Sequence, residues 1–214
     1  MRKPWFGWMV AAAMWIFSLA VYSRLPERIP SHWNLSGEVD GWSPRSIGAF
    51  LFPLIATASL ALPAILFRID PRRANLERSP DRHLIINLSI VFAALVQCLT
   101  LGSVLGWPID VPTGIVAAVG FLMIGIGNYL PRVRSNWWIG VRTPWTLSSE
   151  RVWQRTHRLA GRVFVAGGLV LAATAFLPDA LRGWIVLPVV AAIAAVPLVY
   201  SYFAWRAEQA ENHA

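Results

Sequence analysis

The chain has 214 residues, of which 56% are apolar and 14% charged, with a mean hydropathy of +0.51 and a formal net charge of +8. Those values argue against a soluble or disordered chain and for a polytopic membrane protein. The single cysteine, Cys98, excludes an intrachain disulfide and reads as a small buried hydrophobe.

Six apolar runs are expected as spans, at Trp5–Ser23, Gly48–Phe67, Leu84–Gly106, Pro112–Leu130, Val163–Leu177 and Gly183–Trp205. Most reach the roughly 20 residues needed to cross about 30 Å of hydrocarbon. The fifth is short, with Arg162 snorkelling at its start. The first follows Arg2 and Lys3 but lacks a small-x-small cleavage site before Arg24, so it is expected to remain as a span.

Between the first two spans lies RLPERIPSHWNLSGEVDGWSPRSI, residues 24–47. Its prolines and its Ser-Gly and Asp-Gly pairs mark turns, and irregular structure is expected. His32, Asn34, Glu38 and Asp40 fit no established metal-ligand spacing, so no metal site is expected. Trp33 and Trp42 suit a membrane interface, either as belt anchors or as contacts for an amphipathic peptide entering the bilayer. The second loop, Arg68–Arg82, reads as short, polar and solvated.

Arg132–Arg162 carries seven arginines and one carboxylate, Glu150. With the N-terminus inside, 15 of the 19 cations fall on the inner side and 4 on the outer, which puts both termini in the cytoplasm. Eighteen of the cations are arginine, whose planar fork suits phosphate headgroups, so the charge reads as topology and anionic phospholipid rather than direct nucleic-acid binding. Pro131 ends the fourth span, Gly140 and Pro144 pin an irregular stretch, and Ser148 or Ser149 caps a helix. In that helix Arg151, Arg155, Arg158 and Arg162 share one face, as in an amphipathic surface helix leading into the fifth span.

Arg142-Thr143-Pro144-Trp145 is a rigid turn with two open readings. It either presents a guanidinium to phosphate or to an acidic partner, or it locks the loop. Asn128 and Asn136 flank Pro131 and suit backbone groups freed by the helix break. His157 lies at i+4 from Trp153 and reads as a hydrogen-bonded interfacial histidine, with pH sensing as the alternative. No Asp, Glu, Lys or Arg lies well within a span, which disfavours an ion-coupled transporter; Thr57, Asn87, Gln97, Thr100 and Thr174 read as interhelical hydrogen-bonding groups. No Ser-His-Asp set, HExxH or phosphate loop is present, so an enzyme is not expected.

The ordered pattern Gly127-Asn128-Tyr129, Pro131, Asn136, Gly140 through Leu147, Trp153, Thr156-His157 and Gly161 resembles the SdpI-like immunity protein family. Pro30-Ser31-His32-Trp33-Asn34 with Gly37, Asp40 and Gly41 resembles a small domain of unknown function that commonly precedes it. The resemblance implies an all-α, multi-pass bacterial inner-membrane protein that protects against a secreted peptide toxin. It also implies, from the family's best-known member, recruitment of a cytoplasmic transcriptional repressor. On this reading Pro30, His32, Trp33, Asn34, Gly37, Asp40 and Trp42 meet the toxin. The inner motif of Asn128, Pro131, Asn136, Gly140, Arg142, Thr143, Pro144, Trp145, Trp153, Thr156, His157 and Gly161 then reports occupancy or stabilises the bundle. The chain is expected to form one membrane-embedded domain without a cofactor. A scaffold for a soluble regulator and a lipid or small-molecule transporter are the alternatives; oligomeric state stays open.

Overall fold

The computed structural model describes residues 5–34, 37–78 and 83–212. It is mostly helical, with α1 (Trp5–Val21), α2 (Arg45–Ile69), the short α3 (Arg73–Arg78), α4 (His83–Val104), α5 (Val111–Tyr129), the short α6 (Pro144–Ser148), α7 (Glu150–Thr174) and α8 (Asp179–Asn212). Two strands, β1 (Arg28–Trp33) and β2 (Val39–Pro44), add a small sheet that the all-α expectation omits.

Helices α1, α2 and α4 pack as one group and α5, α7 and α8 as another, joined where α4 meets α5. In the first group Ala11, Met14, Ala56, Ile90 and Ala93 form a buried cluster. Packing in hydrocarbon gains little from burial itself, so polar links between helices count. Gln97 Nε2 donates to Ser18 Oγ at 2.6 Å and Met14 O at 3.2 Å, and Ser18 donates to Ala49 O at 2.5 Å, tying α1, α2 and α4 together. Trp15 Nε1 reaches Thr57 Oγ1 at 3.0 Å. These links match the expected role of Gln97 and Thr57.

The second group is built on glycine. An added Cβ at Gly120 would lie 2.7 Å from Gly168 O, and one at Gly168 2.6 Å from Gly120 O. Two turns away the same exchange joins Gly127 and Gly161, at 2.8 and 2.7 Å. Two pairs running in opposite sense fix α7 antiparallel to α5, with the backbones nearly touching. A side chain at any of the four positions would meet backbone, which cannot swing aside.

Among the described residues five helices are long and apolar enough to cross a membrane, namely α1, α2, α4, α5 and α8. Helix α7 is not among them, because arginines fill its first half. The surface helix and fifth span expected from the sequence are thus one uninterrupted 25-residue rod. On α2 and α8 the exposed residues include Leu54, Leu62, Ile65, Leu187, Val190 and Val199, an outer surface that water would penalise and lipid would not.

The loop after α1 is not irregular. Strands β1 and β2 pair antiparallel from Arg28↔Pro44 to Trp33↔Val39, with register shifts between Pro30 and His32 and between His32 and Trp33. Ile29 is fully buried with Val21, Leu25, Ala49 and Leu101, so the hairpin is pegged into the first helix group.

Candidate functional site

The motif residues fall into two constellations at opposite ends of the bundle. At the inner-motif end, α5 stops at Tyr129 and Pro131 sits in a 3-10 turn, Leu130–Arg132, that turns the chain outward. Asn136 is fully buried and organises the loop around it. Its Oδ1 accepts from the N–H groups of Trp138 (2.8 Å) and Ile139 (2.7 Å), and its Nδ2 donates to Arg134 O and Ile139 O. One side chain thereby satisfies four main-chain groups in a loop that has no ladder of its own.

Gly140 then adopts φ +117°, and a Cβ there would collide with His157 Nε2. The glycine is required by conformation and by space. His157 Nε2 accepts from Val141 N–H at 3.0 Å, so Nδ1 carries the proton and donates to Trp153 O at 2.8 Å. Burial pushes the His157 pKa down to about 4, against a smaller upward pull from the Trp153 carbonyl. A neutral imidazole is what this seat holds. The Trp153 ring stacks on it at 4.0 Å and donates through Nε1 to Val133 O.

Thr143 and Thr146 form a reciprocal capping box that starts α6, with Pro144 in its first turn. Thr143 Oγ1 also lies 3.1 Å from Ser201 Oγ, and Trp145 meets Tyr202 edge-on, so α6 docks on α8. Arg142 is exposed and donates to Trp137 O at 2.6 Å. Thr156 is fully buried on the same α7 face as Val152, Trp153, His157 and Ala160, and its hydroxyl has no hydrogen-bond partner among the described residues. Asn128 is exposed and bonds back to Ile124 O in its own helix at 2.9 Å, so it stands outside the knot. Ser149 is the residue that caps α7.

Three residues that carry no signal in the sequence complete this end. Asp70 is buried, not solvated, and accepts from Arg72 N–H (2.6 Å) and Trp137 N–H (3.1 Å). Arg72 donates to Ser135 Oγ and to Leu147 O, and Asn75 reaches Ser135 O at 2.9 Å. The loop after α2 is therefore part of the knot. Its partners in the inner motif lie 60 to 75 residues away, so spacing gives no hint of them. Of the four arginines of the α7 face, by contrast, Arg151, Arg158 and Arg162 are exposed as the periodicity predicts and Arg155 is half-buried, and Arg151 pairs with Glu211 at 2.5 Å.

At the other end a cavity of about 380 Å³ opens beneath the hairpin, between α2 and α8 and backed by α4 and α5. Pro30, His32, Trp33, Asn34 and Gly37 line it, with Thr100, Val116 and Arg182 from the helices. The volume suits a small ligand or part of a larger one, and the walls are mostly apolar with a few polar groups. Asn34 closes the hairpin: Oδ1 accepts from Glu38 N–H at 2.9 Å, and Gly37 takes φ +82°. Asp40 and Trp42 lie on the outward face of β2 and do not line the cavity, although Asp40 Oδ1 meets His32 Nδ1 at 2.5 Å. Among the described residues no group of three or more His, Cys, Asp or Glu could hold a metal ion. Arg182 is only 8% exposed and donates to Leu177 O and Thr174 O, which folds a cation into the cavity wall. In the sequence it reads as an ordinary helix-end charge.

Comparison with known proteins falls on these same two regions. Residues 132–201 match the SdpI/YfhL protein family, and residues 9–57 match a domain of unknown function (DUF1648). The first match begins within the inner loop and ends at Ser201, the partner of Thr143; the second contains most of α1, the hairpin and the first half of α2. Immunity protein SdpI of Bacillus subtilis (strain 168) is 26% identical over 176 residues, which cover 82% of this chain and 83% of that protein. No solved structure matches the chain.

Proposed function

We propose that this chain, which is SdpI-like along most of its length, is an immunity-type protein of the bacterial inner membrane that protects against a secreted peptide toxin. It crosses the bilayer six times, with α7 as the fifth crossing in chain order and both termini in the cytoplasm. The supports are the 25 residues of α7, about 37 Å of helix, and its antiparallel course between α5 and α8. That length serves one headgroup layer, where the arginine-bearing turns from Glu150 to Arg162 stand, and the hydrocarbon beyond it. The arginine asymmetry then sets the knot inside and the hairpin outside.

The observation that carries the reading is the hairpin cavity. Five of the seven outer residues singled out from the sequence line one apolar hollow that opens between lipid-facing helices. An amphipathic peptide entering from outside would meet Trp33 at the rim and find apolar walls below it. The protein acts by binding and no covalent step is assigned to it. Recruitment of a cytoplasmic repressor belongs to the same proposal, with the exposed Arg151 and the half-buried Arg155 in the first turns of α7 as its contact. If toxin binding shifts that contact, the coupling needs about 1–3 kcal/mol between two states.

The test is protection of a host made sensitive to a secreted peptide toxin, measured per unit of protein in the membrane. The wild-type chain should protect. Val116→Trp, which fills the cavity from α5, should abolish protection at undiminished abundance. A wild-type chain that protects against no such toxin sinks the function, and a fully protective Val116→Trp sinks the site. A membrane scaffold for a soluble regulator is the second reading, favoured by the outward arginine face; it requires regulator capture with no dependence on the cavity.

A further inference from the structure

Two adjoining hollows run along the outside of the α5–α7 contact, and they share Pro131 and Arg158. The first, of about 620 Å³, is polar and lined by Arg132, Arg134 and Arg158, with Glu150 as its one carboxylate. The second, of about 550 Å³, begins at Arg162 and continues along Val165, Ala166 and Leu169. Gly127 and Gly161 line its floor, where α5 and α7 meet backbone to backbone.

We propose that this groove is a binding site for an anionic phospholipid. The phosphate is held by Arg132, Arg158 and Arg162, and one acyl chain lies along α7 over the glycine floor. Charge complementarity selects the head: four arginines line the two hollows against one glutamate, and a guanidinium grips phosphate oxygens in two-point fashion. Length selects the tail. Arg158 to Leu169 is eleven residues, or about 16 Å of helix, close to the roughly 15 Å from one interface to the midplane of a 30 Å hydrocarbon core. A soluble phosphate would use the polar hollow and leave the apolar one without a role. An acidic peptide would use the arginines and gain nothing from Leu169, which is 57% exposed. Only a lipid uses both. The site needs the chain to lie in a membrane, not the hairpin cavity to have a ligand, so the two proposals fail separately.

The experiment extracts the full chain from vesicles of equal phosphatidylglycerol and phosphatidylcholine and measures the retained lipids by mass spectrometry. Wild type should enrich phosphatidylglycerol. Arg132→Gln with Arg158→Gln should lower that enrichment by about fivefold per arginine, towards parity. Leu169→Trp should lower it with every arginine in place. Arg151→Gln with Arg155→Gln, which removes the same charge further along α7, should leave it unchanged. Equal retention of the two lipids by wild type overturns the proposal. So does loss of enrichment in the Arg151/Arg155 control, which would mean bulk attraction only. Displacement of the lipid by inorganic phosphate alone would assign the arginines to a soluble anion, and indifference to Leu169→Trp would remove the chain groove; either result also overturns it.

Discussion

The two ends of this bundle spend their polar residues differently. At the inner end Asn136, Thr143, Trp153 and His157 are buried and bonded to main chain: Asn136 to four groups, His157 to two, Trp153 to Val133 O, and the Thr143–Thr146 box to the start of α6. At the hairpin end the motif residues bond mainly among themselves, His32 to Asp40 and Asn34 to Glu38, and surround a hollow. A motif can therefore mark a place where the chain is hard to fold or a place where something else binds. Burial and hydrogen-bond partners separate the two cases, and spacing in the sequence does not.

The contrast can be broken most forcefully at the inner glycines. Gly140→Ala sets a Cβ against His157 Nε2 at a positive φ, and Gly161→Leu drives a side chain into the Gly127 carbonyl and Pro131. Either should cost at least about 3 kcal/mol and show as lost membrane abundance and a lower melting midpoint. A Gly140→Ala protein that melts with wild type would show that the loop is not held as described. Asn136→Ala should come next, at about 2–4 kcal/mol, since buried main-chain groups lose their partners.

Acid should loosen the knot through His157. Its folded pKa of about 4 lies below the ordinary 6.5, so the unfolded chain takes up the proton more readily. The neutral histidine's contribution is intact above pH 6.5 and declines as pH falls towards 4, by about 2 kcal/mol at pH 5. Melting curves at pH 7 and pH 5 should differ for wild type and much less for His157→Gln. If the two proteins respond alike, the histidine is not the titrating group. Arg142→Ala should be the mildest inner change, under about 1 kcal/mol, because one bond from an exposed side chain to Trp137 O is lost. A severe defect in signalling with normal melting would move Arg142 from the structural class to the functional one.

Much of the fold is legible in the residues alone. Composition and apolar runs give the membrane class, and Arg151, Arg155, Arg158 and Arg162 show the outward face of α7. Pro131 and Ser149 mark helix ends by ordinary helix-breaking and capping chemistry, whereas the Thr143 cap of α6 is hidden in what reads as a turn. Three further features are not legible there, each for a physical reason. The hairpin is hidden because its register shifts between Pro30 and Trp33 interrupt the two-residue alternation that signals a strand. The Asp70–Arg72 anchor joins residues far apart in the chain. Arg182 enters the cavity wall only because α7 ends against the first turn of α8.

The division between a folding knot and a binding hairpin is tested most directly at Trp33. This side chain lines the cavity and is not part of the buried core. Protection of a toxin-challenged host by Trp33→Ala, normalised to membrane abundance, should fall well below wild type while the melting midpoint stays put. Wild-type protection at wild-type abundance would contradict that division, and so would a loss of protection that merely follows a loss of folded protein.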